Sequence, residues 1–190
     1  TLGYNILKEL DDNQGLASFL SSIGVSYWHT GENDKALEYL ENGYKIFEKL
    51  GDKVAIVETL SWIGLQHYEK NNLTEALRFI EAAHNIGIEI KSFGTKVLSH
   101  TVLFLVRREL GLDNNDKELG LLLKELTSYP HRVHYFDNYY LYKLFGKKID
   151  IQAAYEKFNK KLKLIDSVAR NELLNSPVSK AIVEEWEKVK

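Results

Sequence analysis

His131 and His134 are the two histidines of this sequence that could act together. Three residues apart, they would place two imidazoles on one face of a helix, as a metal site requires. However, Pro130 stands directly before them and no carboxylate lies at ligand spacing. The chain also contains no cysteine that could complete a site. The pattern therefore disfavours a metal centre.

Other groups that could do chemistry are dispersed along the chain. The remaining histidines occupy ordinary positions of the apolar pattern, at His29, His67, His84 and His100. Glu184 and Glu185 fall on a charged helix face, where water is their expected partner. No serine stands in a nucleophile elbow, and no glycine-rich loop could hold a phosphate. We therefore expect no catalytic residue, no metal, no cofactor and no enzyme.

Aromatic residues are concentrated between positions 129 and 145. The segment holds Tyr129, Tyr135, Phe136, Tyr139, Tyr140, Tyr142 and Phe145. Rings at three-and-four spacing usually pack into a core. So many surround this one helix that we expect one edge to bind a partner or a second copy of the chain.

Lysines follow the aromatic segment with few acidic residues between them. They are Lys143, Lys147, Lys148, Lys157, Lys160, Lys161 and Lys163. The segment has little arginine, and its rings precede the lysines rather than alternate with them. A solvated helix face is therefore favoured over a nucleic-acid surface.

Composition sets the outer limits of the interpretation. The chain has 190 residues, of which 44% are hydrophobic and 27% charged, and its net charge is -2. This charge provides no general attraction to nucleic acid or to an anionic membrane. No apolar run is long enough to span a bilayer. The absence of cysteine fits a reducing compartment, so we expect a cytoplasmic protein without a membrane partner.

The strongest pattern in the sequence is a forty-residue repeat. Residues 15–54 and 55–94 share eight identities. These include Leu20/Leu60, Ser21/Ser61, Ile23/Ile63, Gly24/Gly64, Ala36/Ala76 and Leu37/Leu77. Residues 3–12 match 43–52 in the same register, so 1–12 is interpreted as the remnant of a preceding repeat. We expect the chain to be part of a longer protein and its N-terminal repeat face to be exposed.

Apolar spacing within each repeat predicts two antiparallel helices joined by a short turn. Two further, degenerate pairs are expected over 95–175, the last helix running from Ile151 to about Asn175. Phe104 stands where Gly24 and Gly64 stood, so the third pair should splay or shift register. Pro177 opens a final helix that caps the array over 176–190. The predicted fold is an all-α, right-handed superhelix, or solenoid, of helix pairs.

These repeats resemble the tetratricopeptide (TPR) repeat. The residues that carry the resemblance are Leu20, Ile23, Gly24, Tyr27, Ala36, Leu40 and Gly43. The second repeat has His67 in place of the usual tyrosine, and neither repeat has the usual closing proline. The forty-residue unit resembles a longer variant of the family repeat of about 34 residues. In this variant, Gly24 and Gly64 would let the two helices of a unit approach closely.

The C-terminal forty residues carry a second resemblance. Ala153-Ala154-Tyr155 and the Asn175-Ser176-Pro177-Val178 segment, with Ile182 and Trp186, are similar to the end of TPR regions in large bacterial signalling proteins. In those proteins, the repeats follow a P-loop ATPase module that can itself follow a nucleotide cyclase, kinase or DNA-binding domain. The resemblance implies that this chain is a C-terminal sensor or assembly arm.

The family resemblance implies a protein-binding or peptide-binding scaffold. In TPR units, the first helices line the concave face. Carried over by position, this lining is Ser21, Val25, Trp28, Ser61, Leu65, Tyr68, Thr101, Leu105 and Arg108. It lacks the lysine and asparagine residues that hold a C-terminal carboxylate, so a segment with hydrophobic anchors is expected.

Two other functions remain open at this point. The first is a structural or oligomerisation arm of a multidomain ATPase or cyclase, with no ligand in its groove. It would associate through the N-terminal repeat face or the 129–145 aromatic segment. The second is small-molecule sensing in the groove. An open groove argues for a ligand, and a groove filled by the C-terminal helix or by a second copy of the chain argues for assembly.

Overall fold

The computed structural model describes residues 2–90, 96–113, 116–128 and 133–190. Every regular element in these ranges is an α-helix, which confirms the all-α prediction. In chain order the helices are α1 (Leu2–Glu9), α2 (Asn13–Thr30), α3 (Asn33–Leu50), α4 (Lys53–Glu69), α5 (Leu73–Glu89), α6 (Lys96–Glu109), α7 (Asp116–Ser128), α8 (Tyr135–Phe145), α9 (Lys148–Leu162), α10 (Ser167–Asn175) and α11 (Pro177–Val189). None of the helices in the described ranges combines the length and apolar character needed to cross a membrane.

Helix boundaries recur with the forty-residue period of the sequence. Asp12 caps α2 by accepting the Gly15 N–H at 2.8 Å, and Asp52 caps α4 in the same way at Ala55. The chain turns after α2, α4 and α6 through left-handed residues, at Gly31 (φ 80°), Asn71 (φ 58°) and Gly111 (φ 69°). The period therefore continues to the end of α6, where few sequence identities remain.

The two clear repeats form closely packed pairs, α2 with α3 and α4 with α5. A Cβ atom placed on Gly24 would lie 2.7 Å from Leu40 Cγ and 3.0 Å from the Ala36 carbonyl oxygen. At Gly64, the corresponding distance to Ile80 Cβ would be 3.2 Å. The glycines therefore stand at the closest approach of each pair, as their recurrence predicts.

Replacing Gly64 with leucine is expected to destabilise the fold. The new side chain must displace Ile80, which is fully buried, and overpacked cores typically lose about 1–3 kcal/mol. Gly120 on α7 has no neighbour within 4 Å of the equivalent Cβ position, so Gly120→Leu is the matched control. Urea denaturation compares the two variants. Equal unfolding midpoints for Gly64→Leu and Gly120→Leu would contradict the close-packing role of Gly64.

The third unit is packed differently from the first two. Phe104, at the position of Gly24 and Gly64, is fully buried in a cluster with Leu122 of α7 and Leu141 of α8. Helix α6 consequently packs against both α7 and α8. The Phe104 ring thus replaces the close helix contact that glycine allows in the first two units. Helix α8 packs on α6 in addition to α7.

The long helix expected from Ile151 to about Asn175 is interrupted. Helix α9 ends at Leu162, and α10 begins at Ser167 after a short turn. Asp166 starts the new helix by accepting the N–H groups of Val168 and Ala169 at 2.8 and 3.0 Å. The competing N-cap explains the break, because an aspartate at this position satisfies amides that a continuous helix would bond internally.

The last helices return to the first repeat. Both α10 and α11 contact α2, and α11 also packs along α9. Trp186 of α11 stacks on Tyr155 of α9 with ring centroids 5.5 Å apart, while Ile182 is fully buried. Pro177, the first residue of α11, lies close enough to the turn at Gly31 that a Cβ there would be 2.9 Å from its Cγ.

Candidate functional site

The surface formed by α2, α4 and α6, with α4 touching both neighbours, is called the inner face below. It carries the nine residues that the resemblance to TPR units predicts for partner binding. Six of these are buried, namely Trp28, Ser61, Leu65, Tyr68, Thr101 and Leu105. Ser21 and Val25 are half-buried, and Arg108 is exposed. The structure thus brings the nine residues onto one surface but leaves only its two ends accessible.

Helix α8 covers the part of the inner face near the C-terminal ends of α2, α4 and α6. Phe136 packs edge-on against Trp28, with ring centroids 5.4 Å apart, and Tyr140 belongs to the same core cluster as Leu65 and Tyr68. Arg108 donates from Nη1 to the carbonyl oxygens of residues 143 and 144, at 3.0 and 3.1 Å. A guanidinium at the C-terminal end of α8 satisfies carbonyl groups that the helix leaves free.

Half of the described rings of the aromatic segment supply this cover. Among its described members, Tyr135, Phe136 and Tyr140 are buried, whereas Tyr139, Tyr142 and Phe145 are half-buried. Tyr129 lies outside the described residues. The buried rings therefore face the chain's own first two units, and the half-buried rings form the edge that remains available to a partner.

A hydrogen bond between successive units repeats at the forty-residue interval. Trp28 Nε1 donates to Glu69 Oε2 at 2.8 Å, and the Tyr68 hydroxyl donates to Glu109 Oε1 at 2.7 Å. The two donors are forty residues apart, and so are the two acceptors. Trp28 and Tyr68 therefore occupy equivalent positions, as predicted. Glu69 and Glu109 were missed in the sequence, although their own spacing of forty could have identified them.

Beside these hydrogen bonds lies a cavity of about 430 Å³, called the aromatic pocket below. Rings line it, namely Trp28, Tyr68, Tyr139 and Tyr140. The charged groups in its lining are Glu69, Glu109 and Lys143. The Tyr140 hydroxyl donates to the second carboxylate oxygen of Glu69, so this group receives both a Trp28 and a Tyr140 donor.

The pKa values of an acidic and a basic group in the aromatic pocket shift in opposite directions. Burial raises the pKa of Glu69, although the hydrogen bonds from Tyr140 and Trp28 oppose the rise. Burial lowers the pKa of Lys143, against the attraction of Glu109 and Glu69. The Lys143 ammonium lies 4.7 Å from the centre of the Tyr68 ring and 5.9 Å from that of Tyr140.

A second cavity, the inner groove, lies on the part of the inner face that α8 leaves open. It measures about 400 Å³ and is lined by Ser18, Ser21, Ser22, Val25, Phe47, Ala55, Glu58, Thr59 and Trp62. These residues come mainly from the N-terminal halves of α2 and α4. Two of the predicted binding residues, Ser21 and Val25, are therefore at an open surface.

The inner groove combines small side chains, apolar walls and one acidic group. The hydroxyls of Ser18 and Ser22 donate to backbone carbonyls one turn back, each at 2.9 Å, so they present little free polarity. Burial, followed by repulsion from Asp52, raises the pKa of Glu58. A positive charge placed beside Glu58 would stabilise the ionised carboxylate and so oppose the rise in its pKa.

Of the histidine pair, only His134 lies in the described part of the chain. His131 and Pro130 lie outside the described residues. His134 stacks on Phe136, and burial lowers its pKa. Among the described residues, no group of three histidine, aspartate or glutamate side chains could hold a metal ion.

His29 joins the first repeat to α8 and gives this contact a pH dependence. Its Nδ1 lies 3.2 Å from the Tyr135 hydroxyl, and burial together with the charge of Lys161 lowers its pKa to about 4. Because the folded pKa lies below the ordinary value of about 6.5, the folded state resists protonation. The stabilisation is fully present above pH 6.5 and is lost as the pH falls towards 4.

We expect His29→Asn to reduce the acid sensitivity of the fold. Between pH 7 and 4.5, the free energy of unfolding should fall by about 1–3 kcal/mol more in the wild type than in the variant. Buried Asp137, with a pKa raised to about 7, titrates in the opposite sense and is common to both proteins. Urea titrations at the two pH values measure the difference, and parallel losses would exclude this role for His29.

Comparison with known proteins adds no family assignment: no protein-family model matches the chain, and no curated protein shows significant sequence similarity to it.

Proposed function

We propose that the chain is a right-handed superhelical array of TPR-like helix pairs that binds a protein or peptide segment in its inner groove. The open groove between α2 and α4 is the observation that carries this proposal. It lies on the inner face, which first helices provide in repeat arrays of this type. The recurrence of left-handed turns and of the Trp28–Glu69 and Tyr68–Glu109 bonds supports the repeat assignment.

The lining of the groove defines the chemistry of its partner. Val25 and Trp62 offer apolar contact, and the serines of α2 leave room for a backbone or a helix to approach closely. Glu58 adds a single negative charge to the lining, and its pKa is raised by burial and by Asp52. The best fit is a segment with one apolar anchor and a neighbouring lysine or arginine.

The proposed setting of this activity follows from the C-terminal resemblance. We place the chain as a cytoplasmic sensor or assembly arm of a larger signalling protein of the ATPase or nucleotide-cyclase type. The partner segment would then come from a protein that recruits or regulates the enzymatic domains.

Peptide selection tests this function directly. Peptides selected from a random library on the whole chain should be enriched in apolar-basic pairs, and Glu58→Lys should weaken their binding at least about tenfold. Glu38→Lys, an identical charge change at an exposed site of α3 outside the groove, is the matched control and should leave affinity unchanged. Fluorescence anisotropy measures both, and equal affinities for the two variants would exclude the groove as the site.

A second function, that of a structural or oligomerisation arm, is favoured by a separate observation. Helix α8 fills part of the inner face, and Ile6 of α1 and Leu10, which directly follows that helix, remain 44% and 70% exposed. Exposed leucine and isoleucine side chains this close in sequence suit association with a second copy. A concentration-dependent dimer in sedimentation, with no peptide selected by the groove, would favour this function over peptide binding.

A further inference from the structure

The aromatic pocket lies where three helices of the array end. Gly31 follows α2, Asn71 follows α4, and Glu109 is the last residue of α6, and all three line the cavity. The carbonyl groups at a helix C-terminus carry partial negative charge and attract cations. Asn33 and Pro177, the first residues of α3 and α11, line the same cavity with helix ends of partial positive charge, so the helix dipoles alone select no cation.

Two carboxylates add full negative charge to the same place. Glu69 and Glu109 both line the pocket, and each is held by hydrogen bonds from ring groups, namely Trp28 and Tyr140 for the first and Tyr68 for the second. These donors fix the carboxylates without neutralising them. Arg108 binds the last carbonyls of α8 and is not part of the lining, although its charge helps to lower the pKa of Lys143 and opposes the rise in the pKa of Tyr68.

The walls of the pocket select the kind of cation. Rings of tryptophan and tyrosine attract an organic ammonium through their faces, whereas a small metal ion prefers several oxygen ligands. Lys143 already demonstrates this preference, because its ammonium lies over Tyr68 and Tyr140. The lining itself holds two carboxylates against one ammonium.

We propose that the aromatic pocket binds an alkylammonium ion and that Lys143 competes with this ligand for the same position. The ammonium can come from a lysine side chain of a partner or from a free small amine, which share this chemistry. The pocket is separate from the inner groove, and the proposal does not depend on peptide binding there.

The indole N–H of Trp28 provides a local reporter, because it lies in the pocket lining and donates to Glu69. In ¹⁵N-labelled protein, its signal is followed during titration with choline chloride and with Nα-acetyl-lysine methylamide. Sodium chloride at matched ionic strength gives the reference. Lys143→Met removes the internal ammonium and keeps the apolar stem, while Lys147→Met, whose ammonium lies over Phe145, is the matched control.

Both ammonium compounds are expected to shift the Trp28 signal saturably. Lys143→Met should bind at least about tenfold tighter than the wild type, and Lys147→Met should bind as the wild type does. Glu109→Gln, which can still accept the Tyr68 hydroxyl, should bind about tenfold more weakly. Tighter binding of the lysine derivative assigns the ligand to a protein partner, and tighter binding of choline assigns it to a small amine.

Two results would overturn the proposal. The first is an unchanged Trp28 signal with either compound in both the wild type and Lys143→Met. The second is equal affinity of these two proteins, because an internal competitor must weaken binding. Circular dichroism of each variant establishes that the helices are intact.

Discussion

Replacing Trp28 with alanine is expected to lower the free energy of unfolding by about 3–5 kcal/mol, the usual cost of removing a large ring from a core. Trp28 is only 3% exposed, and its ring centroid lies 4.9 Å from that of Trp62 and 5.4 Å from that of Phe136. The substitution removes the Trp28–Phe136 contact between the first unit and α8 and also takes one hydrogen-bond donor from Glu69. Urea denaturation followed by circular dichroism measures the loss.

Two further variants separate the contributions of Trp28. Trp28→Phe keeps a ring but not the indole N–H, so it should lose only the smaller part of the stability. Trp186→Ala removes a half-buried tryptophan from α11 and should cost less than Trp28→Ala. If Trp28→Ala kept its stability but no longer bound a selected peptide, Trp28 would be a partner anchor rather than a structural residue.

Deleting residues 177–190 is expected to destabilise the fold by at least about 3 kcal/mol and to promote aggregation, because buried side chains of Val and Ile size contribute about 1.5–3 kcal/mol each. Val178 and Ile182 are 5% and 0% exposed in the largest core cluster. Removing them also uncovers Tyr155 of α9, on which Trp186 stacks. Thermal unfolding and light scattering measure the two effects.

A shorter deletion is the control for this experiment. Removing only 187–190 takes away mostly exposed residues and should leave the unfolding transition nearly unchanged. If the longer deletion also remained monomeric and equally stable, α11 would have no capping role.

The repeated part of the fold could be predicted because its contacts recur in the sequence. Gly24 and Gly64 stand forty residues apart, and each lies against an aliphatic residue of the partner helix in its own unit. Apolar spacing likewise predicted helices throughout the described residues. Such contacts within a unit can be predicted from a single sequence because the same residue types occur at the same positions of both repeats.

The packing of helix α8 over the inner face could not be predicted in the same way. Phe136 reaches Trp28 across more than a hundred residues, and this contact occurs once, so no period reveals it. The aromatic content of 129–145 predicted that rings would be buried there, and three of the six described ones are, but it did not indicate which surface they would cover. The aspartate cap at Asp166 was a local signal that could have been used to predict the break between α9 and α10.

Thiol labelling tests most directly the central claim that the inner face is open along the inner groove and covered beneath α8. The chain contains no cysteine, so each single-cysteine variant reports one position. Ser22 is exposed in the inner groove, and Thr101 is fully buried on α6. Reaction rates with a maleimide are compared for Ser22→Cys and Thr101→Cys, with and without a selected peptide.

We predict that Ser22→Cys reacts like a free thiol and that the peptide slows it at least about tenfold, because a bound segment excludes the reagent. Thr101→Cys should remain unreactive in native buffer and react only in denaturant. Rapid labelling of Thr101→Cys in native buffer, or labelling of Ser22→Cys that the bound peptide does not slow, would contradict this division of the inner face.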